Sequence, residues 1–150
     1  MKKSMAKLTL YRKPLFRKFI LPLIVSVNGQ PIGVMRGESV SIEIPEGTYD
    51  IAVRLMFQLW KWRFGIGGDR IVSVVEELPT SLEITDRENL WNILFDIDLV
   101  IWLASFFFTL PGLWNIVYHA LSDGFFAVWI VRLVIIRNRY YKLNLLYGDR

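Results

Sequence analysis

The stretch LWNILFDIDLVIWLASFFFTLPGLWNIVYHALSDGFFAVWIVRLVII, residues 90–136, divides this chain into two regions of different composition. It holds only four charged residues, Asp96, Asp98, Asp123 and Arg132, although the whole chain has 18 Lys and Arg and 14 Asp and Glu. As an α-helix, residues 90–110 would be about 31 Å long, close to a bilayer hydrocarbon core of about 30 Å. Pro111-Gly112 ends this segment, and residues 113–136 form a second one of similar length. The pattern predicts a two-helix transmembrane hairpin.

The charges inside this stretch leave one alternative open, a buried helical hairpin in a soluble oligomer. An aspartate near the centre of a bilayer costs roughly 2.5–3.5 kcal/mol. Asp96 and Asp98 lie near the start of the first helix and Arg132 near the end of the second, so these groups are close to the membrane surface. Because those ends are neighbours in an antiparallel hairpin, we expect Arg132 to pair with Asp96 or Asp98. Only Asp123 lies deep, and the membrane interpretation is favoured.

The intramembrane polar residues of the predicted hairpin are Asp96, Asp98, His119, Asp123 and Arg132. They either make hydrogen bonds between helices or line a protonatable path in an oligomer. His119, Ser122 and Asp123 are the residue types of a hydrolase triad, but they share one helix face and no oxyanion hole accompanies them. Nucleophilic catalysis is therefore not expected.

The residues before the apolar stretch show the alternation of β-strands. Asn28-Gly29 is typical of a tight hairpin turn, and polar and apolar residues alternate over 39–44 and again from Tyr49 to Phe57. Residues 65–69, GIGGD, are interpreted as a loop. We expect an antiparallel β-sandwich of about seven strands. The predicted domains are residues 1–87, a basic segment and the sandwich, and residues 88–150, the helical hairpin and a basic C-terminal tail.

Part of this region resembles a known family. The pattern Val25-x-Val27-Asn28-Gly29-x-x-Ile32-Gly33, followed by Gly47-x-Tyr49-x-Ile51-x-Val53, is similar to small PEGA-type β-sandwich modules. The resemblance covers residues 25–53, with Asn28 where the family usually has Asp. It implies a non-catalytic, often envelope-associated module and transfers no active-site residue.

The alternation changes phase near Gln58. After it, the aromatic and basic residues of one segment alternate: Trp60, Lys61, Trp62, Arg63 and Phe64. A one-residue slip exchanges the two faces of a strand, so we expect a bulge or a sharp twist here. The aromatic rings would then face away from the side that carries Tyr49 to Phe57. The segment is predicted to contact either lipid headgroups or a partner protein.

Basic residues dominate the N-terminal segment, in a chain whose pI is about 9.5. Residues 1–37 contain Lys2, Lys3, Lys7, Arg12, Lys13, Arg17, Lys18 and Arg36 and no acidic residue. Such a segment is either a solvated basic tail that helps to set the membrane topology or a binding segment for anionic headgroups, and nucleic acid is the less favoured partner. Arg137, Arg139 and Lys142 flank the hairpin, whose tip is uncharged. The positive-inside rule then places the β-domain in the cytoplasm, at the inner or plasma membrane.

Composition excludes several kinds of chemistry. The chain has no cysteine and one histidine, so thiol catalysis, disulfides and most metal sites are not expected, and we predict no cofactor. The leading interpretation is a non-enzymatic, membrane-anchored binding or scaffold module with a protein partner or a second copy of itself. The alternatives are a small oligomeric membrane effector or channel gated through the β-domain, and a soluble oligomeric assembly subunit.

Overall fold

A computed structural model describes residues 5–13, 21–108 and 110–147. The chain divides into two compact units, a β unit of Met1–Arg87 with Arg137–Arg150 and a helical unit of Glu88–Ile136. Lys2, Lys3, Arg17 and Lys18 of the predicted basic segment lie outside the described residues. The elements in chain order are β1 Met5–Arg12, β2 Leu23–Val27, β3 Gln30–Met35, β4 Ser39–Pro45, β5 Gly47–Leu59, β6 Trp62–Val74, β7 Thr80–Asp86, α1 Asn89–Ala104, α2 Leu113–Ile136, a 3-10 turn Arg137–Arg139 and β8 Tyr141–Tyr147.

The β unit consists of two four-stranded sheets, ordered β4-β1-β7-β8 and β3-β2-β5-β6. Strands β1 and β7 are parallel, and the other pairs are antiparallel. The prediction of a β-rich N-terminal region is confirmed. Seven strands, β1 to β7, precede the helices, as predicted, but an eighth is added from residues 141–147 and one of the sheets is mixed rather than antiparallel.

Alternation along the strands builds the core. Leu8 and Leu10 of β1 are buried on one sheet, and Ile51 and Val53 of β5 are buried on the other, as the two-residue period of a strand requires. Each such side chain contributes about 1.5–3 kcal/mol when it is fully buried. The sheets approach each other closely at Gly68, where an added Cβ would overlap the carbonyl oxygen of Tyr141. Strands β6 and β8 therefore pack backbone against backbone.

The predicted turn at Asn28-Gly29 is confirmed. Both residues have positive φ, 49° and 78°, as a type I′ turn requires. The side-chain oxygen of Asn28 also accepts a hydrogen bond from the Asp50 N–H at 2.9 Å. The asparagine thus serves both as a residue that tolerates positive φ and as a link between β2 and β5.

The end of the chain corrects the predicted domain organisation. Residues 141–147, predicted as part of a basic tail, form β8 and pair with β7, with Asp86 opposite Tyr141 and Ile84 opposite Leu143. Tyr141 and Leu143 are buried and Lys142 between them is exposed. This alternation is the reason that the segment is a strand rather than a tail. The helical unit is consequently an insertion between two neighbouring strands of one sheet.

The two helices differ in how well they match the sequence prediction. Helix α2 has the predicted bounds, and Pro111-Gly112 precedes it with Gly112 at φ 57°. Helix α1 ends at Ala104 rather than Leu110, and a turn follows in which the Ser105 N–H donates to the carbonyl of Ile101 at 2.9 Å. Thr85 and Asp86 are the last residues of β7, and Glu88, which directly precedes α1, makes no side-chain cap hydrogen bond.

Aromatic contacts pack α1 against α2 within the helical unit. The rings of Phe95 and Trp129 stack 4.1 Å apart, and those of Trp91 and Phe125 stack at 5.9 Å. The helices are antiparallel, because Glu88, just before α1, contacts Arg132 near the end of α2, whereas Asp98, further along α1, contacts Ser122, which lies earlier in α2. Among the described residues of this unit, only Ser122 is buried. One described helix, Leu113–Arg139 when the 3-10 turn is included, is long and apolar enough to cross a membrane.

Candidate functional site

A long β-hairpin extends beyond the rest of its sheet. Strands β5 and β6 pair without interruption from Gly47 and Val74 to Leu59 and Trp62. Strand β2 pairs only with residues 51–54 of β5. The distal part of the hairpin, residues 55–66, therefore continues past β2 as a two-stranded projection, which we call the arm.

The arm overturns the predicted bulge near Gln58. The register of β5 and β6 is continuous, and the change of phase arises at the two-residue turn Trp60-Lys61. Trp60 has φ 55°, in agreement with the positive φ that tight hairpin turns need at their first central residue. Directly opposed residues of an antiparallel pair point to the same face, and Phe57 is opposite Phe64. Phe64 thus shares the face of Phe57 instead of facing away from it, as had been predicted.

Burial decreases steadily along this aromatic face of the arm. Leu55 is 4% exposed, whereas Phe57 is 43%, Trp62 81% and Trp60 94% exposed. Phe64 is half-buried, and Lys61 and Arg63 are exposed. The face begins inside the core and ends outside it. Exposed aromatic clusters of this kind mark contact surfaces.

The glycine-rich segment predicted as a loop lies within β6. A Cβ on Gly65 would lie 2.7 Å from the Met56 sulfur, and a Cβ on Gly67 would lie 2.7 Å from Cγ of Arg54. These glycines thus leave room for two long side chains of β5 to lie across β6. Gly65, Gly67 and Gly68 are all paired with residues of β5, so the segment is part of a strand and the predicted loop is wrong.

The arm projects from the end of the β unit at which the chain continues into the helices. Gly68 lies beside Tyr141, and the guanidinium of Arg70 donates to the carbonyl of Leu143 at 2.9 Å. Strand β8 therefore lies alongside β6, with its first residue nearer to the tip of the arm than its later ones. The 3-10 turn Arg137–Arg139 packs against β6. We call this end of the β unit the junction end.

Charge is distributed unevenly between the two ends of the β unit. Strands β1, β3 and β7 all run toward the junction end, as the pairing registers show. The exposed cations there are Lys13, Arg36, Lys61, Arg63, Arg87, Arg137 and Arg139, beside the acidic Glu38 and Asp86. The turns at the opposite end carry Glu46, Glu76 and Glu77. Among the described residues, the junction end is basic and the opposite end is acidic.

Tyr141, the first residue of β8, has a pKa far from the ordinary value of a tyrosine. Burial raises the pKa of its phenol well above the ordinary value, while the positive charge of Arg12 lowers it and the negative charge of Asp86 raises it further. The ring packs edge-on against Tyr140, with centroids 5.1 Å apart. The neutral phenol is therefore the form that fits the folded β unit.

Inside the helical unit, one predicted polar residue makes a hydrogen bond between the helices. The hydroxyl of Ser122 lies 3.0 Å from both carboxylate oxygens of Asp98 and donates to that carboxylate. Asp123 is exposed, Asp96 is half-buried, and His119 packs edge-on against Tyr118. The structure therefore brings Asp98 together with Ser122 and leaves Asp123 on the surface of the unit.

Arg132 has a different partner from the one predicted. Its Nε and Nη2 donate to the two carboxylate oxygens of Glu88 at 2.9 and 3.1 Å, and the guanidinium lies 4.9 Å from the centre of the Trp91 ring. The expected pairing was with Asp96 or Asp98; the helix register instead places Glu88 against Arg132 and Asp98 opposite Ser122. Glu88 lies one position before the first helical residue and outside the apolar stretch 90–136, to which the predicted pairing was confined.

Neither sequence nor structural comparison gives the chain a relative. No family model, curated protein or solved structure matches it, and the PEGA-type resemblance of residues 25–53 stays a prediction. Within residues 5–13, 21–108 and 110–147, no group of three or more His, Asp or Glu side chains is placed to hold a metal ion. The arm, the junction end and the helical unit are thus the features on which a function has to be based.

Proposed function

We propose that this protein is a non-enzymatic, membrane-anchored binding module whose helical unit inserts into a bilayer and holds the β unit at its surface. The observation that carries the proposal is the surface of the helical unit. Large apolar side chains are exposed along both helices, among them Leu90, Ile97, Val100, Ile116, Leu121, Val131 and Ile135. Exposed neighbours such as Val134 and Ile135 point in directions about 100° apart on a helix.

A soluble amphipathic helix keeps one polar face toward water. These helices instead present apolar groups in several directions, and their contact with each other buries only one described residue, Ser122. Hydrocarbon would remove that surface from water, with a gain of about 25 cal/mol for each Å² of apolar area. A bilayer is therefore the environment that fits this unit best.

The pairing of β7 with β8 supports a hairpin topology in the membrane. Asp86 is directly opposite Tyr141, so the chain enters and leaves the helical unit at neighbouring positions of one sheet. At 24 residues, α2 is about 36 Å long, enough for one crossing. If α2 crosses, the preceding segment has to cross too. Helix α1 has 16 residues, about 24 Å, and residues 105–112 complete that path.

Charges at the two ends of the helical unit support a cytoplasmic β unit. Arg87 precedes α1, and Arg137 and Arg139 follow α2, whereas residues 99–122 contain no Asp, Glu, Lys or Arg. Short flanking segments rich in Lys and Arg stay on the cytoplasmic side. The proposed location is thus the inner or plasma membrane, with the uncharged tip directed toward the opposite leaflet.

The polar contacts of the helical unit are compatible with this environment. Asp98 accepts a hydrogen bond from Ser122, and Arg132 forms a bidentate ion pair with Glu88 next to the start of α1. Polar groups in membrane helices are tolerated when they find partners or lie near the interface. These contacts therefore reduce the cost of inserting the unit.

A second candidate function is an oligomeric membrane effector, and the exposure of Asp123 favours it. This carboxylate lies one helical turn from His119 on α2 and is exposed at the surface of the unit. In a bilayer such a group calls for a partner helix or a water-filled path. Ion flux through liposomes that is abolished by Asp123→Asn would select this candidate.

The proposed topology can be tested with single cysteines, because the chain has none of its own. Glu77→Cys lies in an exposed turn of the β unit and Leu113→Cys at the tip of the helical unit. An impermeant maleimide should label Leu113→Cys on intact cells and Glu77→Cys only after permeabilisation. The chain should also stay in the membrane pellet after alkaline carbonate extraction. A chain that is soluble without detergent would overturn the proposal and select the soluble assembly subunit.

A further inference from the structure

We infer that the junction end of the β unit, with the tip of the arm, is a docking surface for an anionic lipid bilayer. The inference rests on the proposed membrane insertion of the helical unit, which supplies the bilayer. It goes further by giving the β unit a fixed side toward the lipid and by assigning the contact to named residues.

The direction of the arm is the first argument. The helices leave the β unit at its junction end, where β7 stops at Asp86 and β8 starts at Tyr141. The arm leaves from that same end, and Trp62 lies six residues beyond Gly68, the neighbour of Tyr141. At about 3.3 Å per residue this is roughly 20 Å. The arm is thus long enough to reach a bilayer surface to which the helical unit tethers the β unit.

The chemistry of the tip is the second argument. Trp60 and Trp62 are almost fully exposed, and indole rings with an apolar body and a polar N–H prefer the headgroup region of a membrane. Lys61 and Arg63 are exposed between and beside them, where their charges can meet lipid phosphates. In water, two such rings at the end of a hairpin are not buried, so they do not contribute hydrophobic stabilisation. In a headgroup layer both the rings and the cations are satisfied.

The charge polarity of the β unit is the third argument, and it is independent of the arm. The cations Lys13, Arg36, Arg87, Arg137 and Arg139 outnumber the acidic Glu38 and Asp86 at the junction end, and Glu46, Glu76 and Glu77 lie at the opposite end. A negative surface attracts the first end and repels the second, so its field orients the unit with the arm toward the lipid. Each Lys or Arg near an anionic leaflet changes the docked-to-undocked ratio by up to about fivefold.

An open apolar depression lies beside the base of the arm. It has a volume of about 500 Å³ and is lined by Pro22, Ile24, Val34, Arg36 and Met56. Val34 and Met56 are exposed, so apolar surface and a cation occur together here as they do at the tip. The composition of a lipid headgroup layer, which is negative outside and apolar beneath, matches this arrangement better than a purely acidic protein or a nucleic acid does.

The test uses the full chain reconstituted in vesicles, with a fluorophore on one introduced cysteine. Gln58→Cys places the reporter on an exposed residue of the arm without removing an aromatic or basic side chain, and Glu77→Cys places the control in the opposite turn. Val131→Cys, exposed on α2, reports insertion of the helical unit. Vesicles contain either phosphatidylcholine alone or equal parts of phosphatidylcholine and phosphatidylglycerol. Nitroxide lipids, labelled at the headgroup or in the acyl chain, serve as quenchers.

The expected result is quenching of Gln58→Cys by headgroup nitroxide in the anionic vesicles, with much weaker quenching of Glu77→Cys. The pair Lys61→Gln and Arg63→Gln should lower the docked-to-undocked ratio by up to about fivefold per residue. Salt at 1 M shortens the Debye length to about 3 Å and should have the same effect as this pair. Trp60→Ser with Trp62→Ser should also reduce the quenching.

Equal quenching of Gln58→Cys and Glu77→Cys would overturn the inference. So would an unquenched Gln58→Cys in vesicles where acyl-chain nitroxide quenches Val131→Cys, since the helical unit is then inserted and the arm is free. If Gln58→Cys is protected from maleimide labelling in native membranes but not in pure lipid, the inference is also contradicted and the arm is assigned to a protein partner. If Val131→Cys is not quenched either, the proposed membrane insertion itself fails.

Discussion

The β unit and the helical unit use apolar residues in opposite ways. Every described hydrophobic residue that is buried belongs to the β unit, although the helical unit is the more apolar of the two. In the β unit, alternation directs one side chain in two toward the other sheet. In the helical unit, two helices touch along a single line and leave most of their apolar surface uncovered. A high content of apolar residues therefore makes a core only where a second layer can cover it.

The largest expected difference between the units comes from truncating one leucine in each. Leu82 of β7 is fully buried, whereas Leu121 of α2 is 70% exposed. Leu82→Ala should lower the free energy of unfolding of the β unit by about 2–5 kcal/mol. Leu121→Ala should change stability in detergent by less than about 0.5 kcal/mol. Urea titration of both variants in the same detergent, followed by circular dichroism, measures the contrast. A large loss with Leu121→Ala would show that α2 has a packed partner.

Two glycines provide a second contrast. A Cβ on Gly68 would overlap the Tyr141 carbonyl oxygen, whereas a Cβ on Gly124 of α2 would meet nothing within 4 Å. Gly68→Ala should therefore destabilise the β unit by about 1–3 kcal/mol or more, since backbone has to move. Gly124→Ala should stabilise α2 by up to about 1 kcal/mol. Thermal melting of the two variants checks both signs, and a neutral Gly68→Ala would refute the close approach of β6 and β8.

Two aspartates test the interior of the helical unit in the same way. Asp98→Ala leaves the buried Ser122 hydroxyl without its partner, so we expect a loss of about 1–2 kcal/mol. Asp123→Ala removes an exposed carboxylate and should lower the stability of the helical unit by less than Asp98→Ala does. Titration with sodium dodecyl sulfate, with helical content as the signal, separates the two. A greater loss with Asp123→Ala would indicate that Asp123 lies in an interface between copies of the chain.

Sequence periodicity was sufficient to predict those features that form between residues close to one another along the chain. The turn at Asn28-Gly29, the alternating strands and the break at Pro111-Gly112 all follow from local patterns. Strand β8 carries a similar signal in Tyr141, Leu143 and Leu145, but the adjacent cations led to its interpretation as a tail. Within β6, glycines at 65, 67 and 68 remove the alternation, because what they accommodate lies on other strands.

Contacts that depend on the register between strands or between helices could not be predicted from the sequence. The face of the arm on which the aromatic rings lie depends on whether two or three residues form its turn, because one additional residue exchanges the two faces of β6. The partner of Arg132 depends on how far α1 is shifted along α2, and Asp98 lies about three helical turns from Glu88. The alternation of aromatic and basic residues singles out the segment from Trp60 to Phe64 in the sequence, whereas its face and direction required the strand pairing.

A pH-dependent contrast between the units arises at Tyr141. Burial raises the pKa of this phenol above that of the unfolded chain, so the folded state keeps a proton that the unfolded state releases above about pH 10. Stability is thus complete below pH 10 and falls above it, by about 1.4 kcal/mol per pH unit for one group. Tyr141→Phe should flatten this decline in the β-sheet signal between pH 10 and 11 and leave the helical signal unchanged. The same decline in parent and variant would assign it to other groups.

The smallest expected effect on stability concerns the tip of the arm, and it decides whether the arm belongs with the core or with the exposed surface. Trp60 and Trp62 are 94% and 81% exposed, whereas Ile66, at the base of the same aromatic face, is 6% exposed. Trp60→Ser with Trp62→Ser should therefore change the free energy of unfolding by no more than about 0.5 kcal/mol. Ile66→Ser, the matched control, loses buried apolar contacts and places a hydroxyl in the core, so it should cost at least about 2 kcal/mol. Denaturation in detergent with circular dichroism compares the two. If the double variant unfolds the β unit, the rings pack as core and are not free for lipid; if it stays folded, any loss of vesicle contact reports the rings themselves.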